Sequence, residues 1–145
     1  MIWHLAALWE TIADATPDRL ALINGDVRRT WADFEQRAAR LASALTAAGL
    51  APDGKIALFG LNSNEYLEAH FAAFKIGAVP VNVNYRYGEG ELVYLFDNAD
   101  VEAVIYDARF GDTVGKIAPR LDKLRVFIEI DDASGAAQSP GALAY

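Results

Sequence analysis

Residues 72–92 read Ala-Ala-Phe-Lys-Ile-Gly-Ala-Val-Pro-Val-Asn-Val-Asn-Tyr-Arg-Tyr-Gly-Glu-Gly-Glu-Leu, and three kinds of structure meet in them. Ala72 to Ile76 continue an apolar helical face that Gly77 stops, because glycine accepts the left-handed conformation in which helices commonly end. Ala78 to Val83 then form a short apolar run of strand length, in which Pro80 demands a position that asks for no ladder donor. Asn84-Tyr85-Arg86-Tyr87 is a polar aromatic cluster, and Glu89 begins a new helix with acids at its positive end. Helix, strand, loop and helix within 21 residues predict an α/β chain, and the cluster lies just past the carboxyl end of a strand, where open α/β sheets tend to place ligands.

The same alternation extends in both directions. Upstream, Leu5, Leu8, Trp9 and Ile12 are spaced as on a helix that Thr16-Pro17-Asp18 stops. Ala21-Leu22-Ile23, the turn Asn24-Gly25-Asp26 and Val27 to Thr30 predict an antiparallel hairpin. Thr30 with Asp33 has the form of a capping box for a long helix whose apolar face is Phe34, Ala38, Leu41, Leu45 and Ala48, ended by Gly49. Lys55 to Leu61 is apolar on both faces, as a central parallel strand is. Asn62 or Ser63 caps the next helix, whose face is Leu67, His70, Phe71 and Phe74. Downstream, Glu89 to Asn98 is expected as a helix, Glu102 to Asp107 as a strand, Asp112 to Leu121 as a helix and Arg125 to Ile130 as a last strand. Units of about 25 residues imply an open, mostly parallel sheet flanked by helices on both faces, with an N-terminal β-hairpin. Residues 1–130 form this α/β body, and residues 131–145, with their Ala, Ser and Gly, read as a linker or ragged tail.

Composition narrows the function. At 145 residues one core suffices. The absence of cysteine removes disulfides, thiolate nucleophiles and thiolate metal sites, and suits a reduced compartment. A net charge of −7 opposes the counterion release that drives nucleic-acid binding. The N-terminus lacks the pattern of a signal peptide and no apolar run approaches 18 residues, so a cytoplasmic protein without a transmembrane segment is expected, with peripheral membrane contact left open.

Residue by residue, the chemistry is sparse. His4 and His70 have no metal-spaced partner and are expected to be satisfied or exposed. Gly54-Lys55 and Gly115-Lys116 lack the glycine loop and the following Ser or Thr of a P-loop. Gly88-Glu89-Gly90-Glu91 puts carboxylates where a pyrophosphate needs bare amides. Gly60-Leu61-Asn62-Ser63-Asn64 is no nucleophile elbow. Asp131-Asp132 is a weak cation pair that reads first as a solvated strand end. A receiver-like nucleotide-binding domain would need an acidic pocket at the strand ends, which Phe59 and Asn62 do not supply.

Taken in order, the segments resemble the N-terminal signature of adenylate-forming acyl-CoA synthetases. The resemblance rests on Thr30-Trp31-Ala32-Asp33-Phe34, Leu41 to Leu45 with Ala48-Gly49-Leu50, Asp53 to Leu58, Asn62 to Tyr66, Phe74 to Tyr87, Glu91-Leu92 and Asp97 to Asp100, and it covers roughly Leu5 to Ile130. The form Asn82-Val83-Asn84-Tyr85-Arg86-Tyr87 is most similar to the fatty-acyl and related carboxylate-CoA ligase branch. The resemblance implies a reaction in which ATP and a carboxylate give an acyl-adenylate, with Mg²⁺ assisting, and CoA then displaces AMP. It also implies that the phosphate loop, the Thr-Glu motif, the ribose-holding Asp and the catalytic Lys, none of which has a match here, lie in polypeptide beyond this chain. The chain is therefore expected to be the inactive N-terminal portion of a ligase that holds no cofactor itself, with ATP, Mg²⁺ and CoA belonging to the longer enzyme. Self-association through uncovered surface is also expected. A second reading is a non-catalytic dimerisation or docking module of the same fold. No catalytic residue is assigned; Asn84, Tyr85 and Arg86 are the residues placed nearest a substrate, against a first reading in which they only satisfy their loop.

Overall fold

In a computed structural model that describes residues 4–145, the helix preceding Gly77 closes as the sequence leads one to expect. Gly77 has φ +70, its amide bonds to Phe74 O at 3.2 Å, and the Ala78 amide reaches back to Ala73 O at 2.9 Å. Those two bonds are the paired closure of a Schellman motif. The long helix before it ends in the same way, with Gly49 at φ +86, its amide on Thr46 O and that of Leu50 on Leu45 O.

The element order is α1 (Leu5–Ala15), β1 (Leu20–Asn24), β2 (Val27–Thr30), α2 (Trp31–Ala47), β3 (Lys55–Phe59), α3 (Asn64–Lys75), β4 (Val79–Asn82), α4 (Glu89–Asn98), β5 (Val101–Asp107), α5 (Gly111–Ile117), β6 (Val126–Ile130) and β7 (Leu143–Ala144). β1 and β2 form the antiparallel hairpin, and the other five strands form a parallel sheet in the order β4-β3-β5-β6-β7. The fold is thus α/β, a parallel sheet flanked by helices with an N-terminal hairpin. Caps follow local chemistry: Thr30 and Asp33 exchange hydrogen bonds in a capping box at α2, and Ser63 Oγ accepts the Tyr66 amide at α3. Pro80 sits on edge strand β4. The Val79 and Val83 amides point to β3, onto Gly54 O and Leu58 O, so the intervening Pro80 nitrogen faces the outer edge, where no donor is required.

The chain divides into two compact units. In the first, Met1–Pro52 with Asn62–Ala78, the core is an aromatic cluster: Trp9, Phe34 and Phe71 lie with ring centroids 5.0–5.5 Å apart, beside the buried Ala6, Leu22 and Ala38. In the second, Asp53–Leu61 with Val79–Tyr145, the side chains of Leu92, Phe96, Val114 and Ile117 from α4 and α5 pack with Phe59 and Tyr106 of the sheet. Every residue of β3 from Ile56 to Phe59 is buried, as its apolar run predicts.

Several elements depart from expectation for identifiable reasons. On α3, Leu67 is 42% exposed and Glu68 is fully buried, which rotates the buried face by one residue from that read in the sequence. On α1, Leu5 and Leu8 are exposed and the buried stripe is Ala6 and Ala13. α5 stops at Ile117, because Pro119 has no amide to continue the α ladder, and a 3-10 turn over Ala118–Arg120 follows. Residues 131–145 carry β7, which pairs with β6 through Ile128–Leu143 and Glu129–Ala144; two residues are too few to show a period.

Gly77 yields a first expected outcome. A Cβ there would meet Pro52, its Cβ at 3.5 Å and its Cα at 3.8 Å, both ordinary contacts, so strain at positive φ rather than crowding sets the effect. Gly77→Ala is expected to destabilise by about 1–2 kcal/mol and Gly77→Asn by less. Urea unfolding checks the order, and equal losses would mean that crowding governs.

Candidate functional site

The residues nearest a candidate site lie at the carboxyl edge of the parallel sheet in the second unit. Chain leaves β4 through the buried Val83 and enters the exposed loop Asn84–Tyr87. Asn84 sets the shape of that loop: its Oδ1 accepts the Arg86 amide at 3.0 Å and its carbonyl accepts the Tyr87 amide at 3.0 Å, the behaviour of an Asx turn. The Arg86 guanidinium lies 5.4 Å from the Tyr85 ring centroid, a cation–π distance. Tyr85 and Tyr87 are 44% and 38% exposed. The Gly88 amide then donates to Glu91 Oε2 at 2.8 Å, which starts α4. Asn84, Tyr85 and Arg86 are thus neighbours on one loop, tied to one another. With Tyr87 they present a guanidinium and two partly exposed phenol side chains.

Two further acids stand at this edge, and the sequence reading gave no weight to the first. Asp107, the last residue of β5, is buried, and its Oδ2 accepts the Leu61 amide at 2.8 Å. A Cβ on Gly60 would come within 2.7 Å of its Oδ1, so the carboxylate packs against bare backbone and fixes the exit from β3. Its sequence signal is a single acid closing the apolar run Ala103 to Tyr106, a signal that a solvated strand end would give equally.

Asp132 follows β6 and pairs with Arg109, accepting from both its Nε and its amide. Burial pushes the Asp132 carboxyl upward, but the hydrogen bonds from Ser134 and Arg109 outweigh it and hold the group well below its ordinary value of 3.8. A depressed folded value means that the stabilisation is complete above pH 3.8 and is lost as pH falls toward the depressed value. Unfolding measured from pH 7 downward should therefore show Asp132→Asn less stable than the parent, with the gap closing below pH 3.8. A gap independent of pH would contradict this.

Metal and base chemistry find little support on these residues. His4 caps α1, its Nδ1 accepting the Ala7 amide at 3.3 Å. His70 Nδ1 lies 2.9 Å from Tyr66 O and its ring packs beside Tyr66 and Phe74. Asp131 Oδ1 accepts the Ala133 amide. Among the described residues no three His, Cys, Asp or Glu gather to hold a metal ion. Among the described residues, too, no helix is long and apolar enough to cross a membrane.

Comparison with known proteins places these observations. A family model described as AMP-binding enzyme matches residues 9–142. A medium/long-chain-fatty-acid–CoA/3-oxocholest-4-en-26-oate–CoA ligase of Mycobacterium tuberculosis is 41% identical over 90% of this chain and 24% of its own length. The 3-oxocholest-4-en-26-oate–CoA ligase of Rhodococcus rhodochrous is 38% identical over 92% of this chain, again 24% of its own length. Among solved structures, a fatty acyl CoA synthetase of Mycobacterium tuberculosis superposes with a TM-score of 0.81 at 28% identity, covering 95% of this chain and 30% of that one. The chain spans about a quarter of the length of the curated relatives it matches.

Proposed function

The chain belongs to the AMP-binding enzyme family, and from that premise we propose that it forms the N-terminal scaffold of an ATP-dependent carboxylate–CoA ligase acting on fatty or similarly apolar carboxylic acids. The observation that carries the reading is the match of residues 9–142 to the family, joined by relatives at 38–41% identity that are CoA ligases of fatty and steroid carboxylates. The longer enzyme would use ATP, Mg²⁺ and CoA, which are cytoplasmic substrates, and we place its work there.

Within that reading the chain taken alone is inactive. Acyl-adenylate formation needs donors aimed at the charge that develops on the phosphates. The carboxyl edge of the sheet offers Arg86, an Arg109 already paired with Asp132, and several committed acids. Arg86 is the group on this edge suited to an anion: it is exposed, and among the described residues its recorded partner is the Tyr85 ring rather than a carboxylate. Asn84, Tyr85 and Arg86 are proposed to lie beside substrate in the assembled enzyme, with Asn84 shaping the loop, Tyr85 supporting the guanidinium and Arg86 facing negative charge.

The test uses the product of the complete reading frame, assayed for thioester formation from CoA and ATP with medium-chain, long-chain and steroid carboxylates. Turnover with at least one is expected. Failure with every carboxylate, from protein that is folded, would sink the assignment. In the same enzyme Arg86→Ala is expected to raise KM for an anionic substrate by about tenfold with a smaller change in kcat, the loss of one charge-assisted contact. Unchanged kinetics would return this loop to a structural role.

A further inference from the structure

We infer that residues 133–145, beyond the Asp132–Arg109 anchor, form a strap over the outer edge of β6, latched by the buried Glu129 carboxylate and able to open as a unit while the rest of the sheet stays closed.

The strap is held at few points. Its inner half, Ala133 to Gln138, is exposed throughout, and Leu143 in β7 is 51% exposed. Apolar burial, the usual source of adhesion, is therefore small along it. Beyond Ala142, which packs against the core of the second unit, what holds it is polar. Glu129 is 5% exposed, and both of its carboxylate oxygens lie 3.2 Å from the Ser139 amide that they accept. The Tyr106 side chain, only 1% exposed, lies beside Ser139 and Glu129. Gly111 leaves the space for this seat, since a Cβ there would lie 2.4 Å from Ser139 Oγ. A tight turn follows, with the Ala142 amide on Ser139 O and Gln138 Nε2 on Ala142 O, and it delivers β7 to β6, where the Tyr145 amide bonds to Glu129 O at 3.0 Å.

Glu129 thus serves the strap twice, through its side chain to Ser139 and through its carbonyl to Tyr145. The latch and the added strand meet in one residue, so releasing the first loosens the second. Without the strap, the backbone groups of β6 that face β7 are an open strand edge, the kind of surface that proteins cover to avoid unwanted pairing. The strap is that cover, and its latch is a carboxylate rather than a packed apolar face. This inference stands apart from the ligase reading, because it depends only on contacts within the second unit.

Amide hydrogen exchange on the chain tests it. In the parent the Ser139 and Tyr145 amides should exchange together, and sooner than ladder amides of β3 and β5 such as Leu58 and Ile105. Glu129→Gln, which removes the charge and replaces one of the two acceptor oxygens with a donor, should speed both strap amides by about tenfold and leave the β3 and β5 amides unchanged. Gly111→Ala, which crowds Ser139 but keeps the carboxylate, should act in the same direction and decides the matter if Glu129→Gln does not fold. Exchange of Ser139 and Tyr145 in step with the sheet interior, acceleration spread evenly over all amides, or no acceleration in either variant would each overturn the latch.

Discussion

Arg37→Met is expected to remove about 3 kcal/mol of stability. The reason lies in Glu68, whose side chain is wholly buried on α3. Arg37 Nε from α2 donates to its Oε1 at 2.7 Å, and Arg29 Nε from the hairpin stands 3.7 Å away. A buried carboxylate stripped of its hydrogen-bonded cation keeps its desolvation penalty and loses the attraction that offset it, and breaking such pairs costs about 3–5 kcal/mol. The lower end applies here because Arg29 remains nearby. Adding Glu68→Gln to Arg37→Met should recover part of the loss, since the uncompensated charge is then gone. Urea unfolding followed through Trp9 and Trp31, both in the same unit, provides the measurement. A single-variant loss below about 0.5 kcal/mol would mean that the pair behaves as an exposed one.

Phe71→Ala is expected to be larger, about 4 kcal/mol. Phe71 is fully buried, edge-on to Trp9 at 5.1 Å and tilted against Phe34 at 5.0 Å, and the Lys75 ammonium sits 4.5 Å from its ring centroid. Truncation opens a cavity among side chains that α1, α2 and α3 hold in place, so collapse can fill little of it. Lys75 also loses the ring beneath it, although Glu10 and Glu35, each 2.6 Å from its Nζ, keep it charged and anchored. With a urea slope of about 2 kcal/mol/M, the midpoint should fall by about 2 M. A shift under about 0.5 M would show that the aromatic cluster is loosely packed.

These two sites also mark the boundary of what the sequence discloses. Helix ends were legible because they are local chemistry: Thr30 with Asp33, Ser63, Gly49 and Gly77 each solve the terminus beside them. The hairpin was legible for the same reason, with Gly25 at φ +56 in a two-residue turn. Glu68 was not. A glutamate in an amphipathic helix reads as solvated, and its burial is decided by Arg29 and Arg37, which lie on other elements. Asp107 and β7 escaped likewise, since the first is explained only by the bare backbone of Gly60 and Leu61, and the second only by β6 beside it. As for the candidate site, its place at a strand end followed from the periodicity, whereas the Asx turn of Asn84 and the stacking of Arg86 on Tyr85 belong to the folded loop.

The same distinction bears on function. Residues 84–87 carry a family signature more plainly than a mechanism, and polar side chains along the chain are spent on local structure: carboxylates capping amides, cations seated on carboxylates, histidines bonded to their own helices. We propose that none of these groups moves a phosphate. Carboxylate-dependent exchange between ATP and labelled pyrophosphate, measured on the 145-residue chain itself with a panel of fatty acids, tests this account most directly. No exchange above the protein-free rate is the predicted result; saturable, carboxylate-dependent exchange by the purified chain would contradict it.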